Sequence, residues 1–371
     1  MAAAMAQPTT PAVPASRGAG TAAQAGVADR GRALSLQAVD GQRLAAHWHA
    51  AAPAAGGAVR GVVVLAPATG VPQSFYLRFA QWLAAHGVGV LRFDFRGTAA
   101  SRPARLRGFV ADFSHWALDL DAALAFALAE SVRGAPGAQH AEIGGAVRVS
   151  LIGHSIGGFL APATLHAPQL HRLVLVGAQS AYWRDFPQPQ RWPMALMWHG
   201  VMPAVTQLVG YFPGRALRLG EDLPRGVAMA WAARPWRDPW RVPAFADAYA
   251  RTLPQTHLVA ADDDAFATPA AMARVARQLT ATTTQTHTIA TGRAGTDIEA
   301  TGSAATGISL TGSASANANA NANANANANA NARPQPIGHF GLFRSACAVH
   351  AWPRLLALAL PDDRRATSSP A

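Results

Sequence analysis

From Ala33 onward, apolar positions recur in short regular blocks. ALSLQAV (33–39) alternates, Asp40-Gly41 supplies a turn, and QRLAAHWHAA (42–51) alternates again, the pattern of two antiparallel strands. VRGVVVLAPA (59–68) is a continuous apolar run bounded by Gly and Pro, as a strand buried on both faces requires. SFYLRFAQWLAAHG (74–87) has helical spacing and ends on Gly87, a residue suited to the left-handed position after a helix; VGVLRFDFRG (88–97) is again a buried strand.

The same strand–helix rhythm continues through FSHWALDLDAALAFALAESV (113–132, helix), AVRVSLIG (146–153, strand), IGGFLAPATLHA (156–167, helix) and HRLVLVGA (171–178, strand). It resumes with THLVAADDD (256–264), a helix PAAMARVARQL (269–279) and TQTHTIAT (284–291) as the expected last strand. GLFRSACAVHAWPRLLALAL (341–360) restores helical periodicity, with Pro353 expected to kink or split it. Strands alternating with helices predict an α/β fold: a mainly parallel central sheet with right-handed crossovers and helices on both faces.

Two stretches break this rhythm. Residues 179–252 hold six Trp, several Pro-led turns and no strand signal, which predicts a helical cap inserted into the sheet domain. Its apolar segment MALMWHGVMPAVTQLVGYF (194–212) carries no formal charge, but His199, Pro203 and Gln207 suit an amphipathic covering helix or helix pair better than a membrane span. Residues 292–336 are Gly/Ser/Thr-rich and then a perfect Ala-Asn alternation, too poor in bulky apolar residues to fold alone. The expected organisation is a disordered leader at 1–32, a core made of 33–178, 253–291 and 337–361, the cap at 179–252, a disordered insert at 292–336 and a tail at 362–371. Discounting the low-complexity segments removes about 80 residues from the folded part.

Composition narrows the chemistry. The net charge of +11 is almost all single arginines, without the basic runs or basic-aromatic repeats of nucleic-acid binding. A single Cys347 can form no internal disulfide and lacks metal-ligand spacing, which fits a reducing cytoplasm and makes a zinc site unexpected. The leader lacks the basic and apolar regions of a signal peptide.

The strongest chemical signal is Gly153-His154-Ser155-Ile156-Gly157, a G-x-S-x-G set between a predicted buried strand and a predicted helix. A turn this tight strains the serine backbone and leaves no room for Cβ atoms two positions to either side. It exposes Ser155 Oγ and aims the Ile156 amide, at a helix N-terminus, at an oxyanion. His154 should point away from Oγ. A hydroxyl needs a base and an orienting acid to become a nucleophile. In chain order the acid should follow a late strand, where Asp262, Asp263 and Asp264 stand; Asp264 is the first choice because it precedes the loop into the next helix, Asp263 the reserve, and Asp185 a further alternative. Of thirteen histidines, His339 follows the last strand between glycines and takes the base position, with His287 and His350 as fallbacks. A second oxyanion amide should come from LAPATGVPQSFY (65–76), where Gly70 lets the chain turn inward and Val71 is the expected donor. Asp94 and Arg96 are expected to tie down the loop after their strand. In the cap, Trp183, Trp192, Met194 and Trp198 are the candidate pocket lining within a larger inventory that includes Met197, Met202 and Trp231.

Together these residues resemble the α/β-hydrolase superfamily, and within it the bacterial hydrolase and esterase branch near the serine aminopeptidase S33 and monoglyceride-lipase-like groups. The segments that carry the likeness are APATGVPQSFYLRFAQWLA, RFDFRG, GHSIGG, AQSAYWRDFPQPQRWPMALMW, GYFPGRALRLGEDLPRGVAMAW, DDDAFATPAA and IGHFGLFR. The resemblance implies a triad of Ser155, Asp264 and His339 and hydrolysis of a small-molecule carboxylic ester through an acyl-enzyme, without cofactor or metal. Amide or thioester cleavage, acyl transfer by the same residues, or an inactive binding protein are the alternatives. In the proteins it resembles, the connection ahead of the histidine is short, so the insert raises the question of what holds His339.

Overall fold

The computed structural model describes residues 31–52, 59–133, 147–233, 243–291, 300–302 and 336–361. The expected tail, the expected leader up to residue 30, and most of the expected insert including the whole Ala-Asn repeat lie outside them, as do Trp236 and Trp240, while Arg32 of the expected leader opens the first strand.

The hairpin forms β1 (Arg32–Gln37) and β2 (Arg43–His49). Then follow β3 (Gly61–Ala66), α1 (Leu77–Ala85), β4 (Val88–Phe93), α2 (Phe113–Arg133), β5 (Val149–His154), α3 (Ile156–Leu160) and β6 (Arg172–Val176). Between β6 and the next sheet strand come α4 (Arg191–Leu196), α5 (Met202–Val209), a two-residue pair β7 (Tyr211–Phe212) and β8 (Leu223–Pro224), α6 (Arg225–Ala232) and α7 (Pro243–Ala250). The chain returns through β9 (Thr256–Ala261), α8 (Pro269–Ala276), β10 (Thr284–Ile289), β11 (Ala300–Gly302), α9 (Gly338–Gly341) and α10 (Ala351–Ala359).

Among the described residues one sheet has the order β1-β2-β4-β3-β5-β6-β9-β10-β11. The run from β4 through β10 is parallel, while β1 and β2 at one end and β11 at the other pair antiparallel. This is the expected α/β architecture. β3, β4 and β5 are buried at every position, because helices cover both faces. On one face Trp116, Leu120 and Leu124 of α2, Phe159 of α3 and Met272 of α8 pack with Val64, Leu91 and Leu151. On the other, Phe79 and Leu83 of α1 and Leu355 and Leu356 of α10 pack with Val63, Ile152 and Val259.

Four local expectations need correction. The helix read over 156–167 stops at Leu160, and Pro162 and Pro168 sit in short 3₁₀ turns. Pro353 neither kinks nor splits its helix: α10 begins at Ala351, so the missing proline N–H falls among first-turn donors that have no intrahelical partner anyway. The 284–291 strand is not the last, since Ala300–Gly302 adds to its edge. Finally, 191–209 is the expected helix pair but only partly amphipathic. α4 and α5 are joined by a π-helical turn at Met197–Val201, and the segment is apolar on both faces. Met194, Met197, Trp198 and Met202 turn inward, whereas Trp192, Leu196, Val201 and Leu208 are exposed.

Candidate active site

β5 is central in the sheet, and Ser155 stands at its C-terminal end with φ +53° and ψ −113°, an unfavourable backbone conformation for a side chain. The neighbouring glycines explain how the turn closes. A Cβ on Gly153 would meet Gly158 Cα at 2.6 Å, and one on Gly157 would meet the Ala66 carbonyl oxygen at 2.6 Å. The Ser155 N–H is held by the Val176 carbonyl at 2.8 Å, so β6 fixes the turn from the side. Ile156 opens α3, and its amide therefore has no partner within the helix.

His339 lies in α9 and reaches Asp264 beyond β9: its Nδ1 is 2.9 Å from Oδ2 and 3.1 Å from Oδ1. Oδ1 of Asp264 also accepts the Phe266 and Ala267 amides at 2.8 and 2.9 Å. Burial pushes the Asp264 carboxyl up, but the His339 hydrogen bond and charge and these two amides outweigh it and hold it below the usual carboxylate value. The other candidate acids are engaged elsewhere. Asp263 Oδ1 accepts the Gly338 N–H at 2.7 Å, Asp262 takes the Thr291 amide at 3.0 Å, and Asp185 forms a two-point pair with Arg274 at 2.6 and 2.8 Å. Of the fallback bases, His287 contacts His257 at 3.0 Å within the sheet, and His350 is exposed ahead of α10. Asp94 and Arg96 tie loops, as expected. Asp94 accepts the Gln73 N–H at 2.7 Å and side-chain amide at 2.9 Å, while Arg96 pairs with Asp119 and Asp40.

Ser155 and His339 line one cavity of about 370 Å³ beneath the α4–α5 segment. Its walls include Met194, Met197, Trp198, Met202, Phe212, Leu223, Trp231, Phe266 and Phe340, with Thr69 and Gln179 as polar members, and among the described residues no Asp, Glu, Lys or Arg lines it. Met194 and Trp198 are thus where the sequence reading put them. Trp183 and Trp192 are not: Trp183 is buried outside the lining, and Trp192 is 58% exposed. The two rings instead pack together at 5.4 Å.

Val71 is a second correction. Its N–H closes a turn on the Ala68 carbonyl at 3.1 Å, and Val71 does not line the cavity. Thr69 does, its amide has no hydrogen-bond partner among the described residues, and its hydroxyl accepts the Trp231 indole N–H at 3.2 Å. Gly70, with φ +68°, makes the inward turn the sequence anticipated, and its carbonyl accepts the Glu221 N–H at 2.9 Å, tying this loop to the cap. Sequence reasoning missed Thr69, Tyr76 and Phe266. Phe266 alone had a visible signal, as the aromatic residue two positions after Asp264.

His154 points away from the cavity and is fully buried. Its Nδ1 is 2.8 Å from the Tyr76 hydroxyl and its Nε2 is 2.9 Å from the His339 carbonyl oxygen. Burial, with the nearby His339 charge adding to it, pushes its pKa down to about 3.

A serine on a strained strand-to-helix turn, backed by a buried His–Asp pair at the C-terminal edge of a mainly parallel sheet, defines the α/β-hydrolase class. The sequence pattern of the serine aminopeptidase S33 family matches residues 57–291, more than half of the chain, and the protein belongs to that family. No curated protein matches the chain in sequence. Among solved structures, a soluble variant of monoglyceride lipase from Saccharomyces cerevisiae in complex with a substrate analog is similar, with 16% identity and a TM-score of 0.50 over 72% of this chain and 87% of that one. A thermophilic esterase from Thermogutta terrifontis, malate bound, aligns with 16% identity and a TM-score of 0.44 over 70% of this chain and 90% of that one. These likenesses concern the fold. The chain is an α/β serine hydrolase by family, and among the described residues no helix is long and apolar enough to cross a membrane.

Proposed function

We propose that the protein hydrolyses a neutral carboxylic ester through an acyl-enzyme on Ser155. The observation that carries this reading is the shared cavity: Ser155 and His339 line one space whose described walls are mostly apolar and carry no Asp, Glu, Lys or Arg. A peptide or amino acid presenting a free ammonium group would need a carboxylate there, and the described lining offers none. Aromatic and methionine walls suit an acyl chain.

His339 serves as general base toward Ser155 and then as general acid toward the leaving alcohol. Asp264 keeps Nδ1 protonated and directed, leaving Nε2 to exchange the proton. The tetrahedral oxyanion is received by the Ile156 amide and by the Thr69 amide, which replaces Val71 in that role because Thr69 lines the cavity and its amide has no partner among the described residues. Water, activated by the same histidine, releases the acid. No step in this sequence calls for a metal or cofactor.

The test is turnover of a series of p-nitrophenyl esters by the full chain and by Ser155→Ala, with fluorophosphonate labelling in parallel. Ester cleavage and labelling that both disappear in Ser155→Ala support the reading. Undiminished turnover in that variant, or no labelling of a folded sample, would end it.

A further inference from the structure

The insert before His339 raises the question of what holds the base in register with the oxyanion amides, and the residue beside the nucleophile supplies an answer. His154 Nε2 faces the His339 carbonyl oxygen at 2.9 Å, and a carbonyl can only accept, so Nε2 carries the proton. In a neutral ring Nδ1 then accepts, and the partner 2.8 Å away, the Tyr76 hydroxyl, must donate to it. The Tyr76 oxygen is left to accept, and the Ala68 amide donates to it at 3.0 Å. Every donor and acceptor in this chain has one permitted direction. It runs from the residue before Thr69, through the residue before Ser155, to the backbone of His339.

We infer that Tyr76 and His154 are positioning residues that set the distance between the oxyanion loop and the catalytic-base loop, making the placement of His339 independent of the insert. This rests on the hydrolase reading above. The three loops come from different parts of the chain: one follows β3, one follows β5, and one precedes α10. The side-chain hydrogen bonds that hold the His339 segment to Asp264 and Asp263 both lie on its β9 side. The relay attaches it from the opposite side. The attachment is buried and packed: Tyr76 and His154 are buried, and Phe343 stands 5.1 Å from the Tyr76 ring and 4.8 Å from the His154 ring.

The single direction of the relay also requires His154 to stay neutral while His339 gains and loses its proton 5.0 Å away, ring centre to ring centre. The titratable groups around it are Tyr76, His339 and, through His339, Asp264. Burial pushes the Tyr76 phenol upward and the His154 imidazole downward, so neither charges in the working range.

The experiment uses the full chain with ¹⁵N-labelled histidine, beside Tyr76→Phe and His154→Gln, the latter also assigning the resonance. His154 should show a neutral ring protonated at Nε2 with no titration between about pH 5 and 8. Tyr76→Phe is nearly isosteric but cannot donate to Nδ1. It should lower kcat at least about tenfold with KM within about twofold, and accelerate amide exchange across Pro336–Arg344. His154→Gln retains an amide donor for the His339 carbonyl and should recover part of the loss. A His154 that titrates, or carries its proton on Nδ1, overturns the relay, as does a Tyr76→Phe protein with unchanged kcat and exchange. If Tyr76→Phe fails to fold, the tautomer in the unsubstituted chain and the exchange of His154→Gln decide. Absence of Ser155-dependent turnover in the unsubstituted chain would instead overturn the hydrolase reading, while NMR and exchange would still judge the relay.

Discussion

Gly177 and His339 are in direct contact. A Cβ built on Gly177 would stand 2.9 Å from the ring Cε1 and 3.1 Å from Nδ1, and the glycine itself has φ +62°. The strand that fixes the Ser155 turn therefore also forms the floor under the base. Gly177→Ala adds a methyl group where the ring must lie and forces an alanine into a left-handed conformation costing about 1–2 kcal/mol. We expect kcat for p-nitrophenyl butyrate to fall by about tenfold or more and the thermal midpoint to drop, as read by steady-state kinetics and circular dichroism.

Asp264 and Asp185 offer a contrast between two buried carboxylates of different employment. Asp264→Asn removes the charge that orients the His339 ring and should reduce kcat by about 10³–10⁴. Asp185→Asn breaks only the Arg274 pair, some stability being lost, and should leave kcat within about threefold of the unsubstituted chain. Kinetics on the two variants, measured with the fold verified, tests the assignment directly.

Stability should depend on pH through histidines that do no chemistry. His257, buried between Arg172 and His287, is pushed down to about 4, by burial first and then by the neighbouring His287 and Arg172 charges. An unfolded histidine takes up a proton near pH 6.5, whereas the folded one resists until about pH 4, so the unfolded state binds more protons across that window. Stability is therefore fully present above pH 6.5 and declines as the pH falls toward 4, by about 2 kcal/mol at pH 5 for His257 alone. His154 adds a decline of the same sign. The thermal midpoint at pH 5 should lie below that at pH 7.5, and His257→Gln, whatever its own stability, should show the smaller difference between the two pH values.

The described contacts of the His339 loop include Asp263, Asp264, His154, Gly177, Phe266, Trp352 and the aromatic cluster of Phe75, Tyr76 and Phe79, and every one of these residues lies outside 292–336. Replacing residues 303–335 by a flexible Gly/Ser connector of about a dozen residues should therefore leave kcat and KM within about threefold. A folded deletion with lost activity would show that the repeat takes part in placing the base.

The fold was legible because strand and helix patterns alternate without ambiguity between Ala33 and Ala178, where the hairpin strands alternate and β3, β4 and β5 are buried on both faces. Ser155 was legible because its glycines are demanded by close backbone approach, which leaves a mark in sequence. His339 could be reached only through chain order. What escaped detection depended on direction within an element. Trp192 and Trp198 are equally apolar, and only the helix phase around the π turn places one outside and the other inside. Val71 and Thr69 differ in where a backbone amide points, which side-chain identity does not encode. Tyr76 carried no mark of its role in sequence, because its partners, the Ala68 amide and the His154 ring, are brought to it by the fold alone.

The short strand at Ala300–Gly302 has a consequence unrelated to catalysis. β10 is the margin of the parallel sheet, and an uncovered margin offers its peptide groups to any extended chain that meets it. By pairing Gln285–His287, the start of the intervening sequence closes part of that margin in an antiparallel sense. A shortened chain should thus keep Ala300–Gly302; cut closer, it would retain its chemistry and gain a tendency to stick to itself.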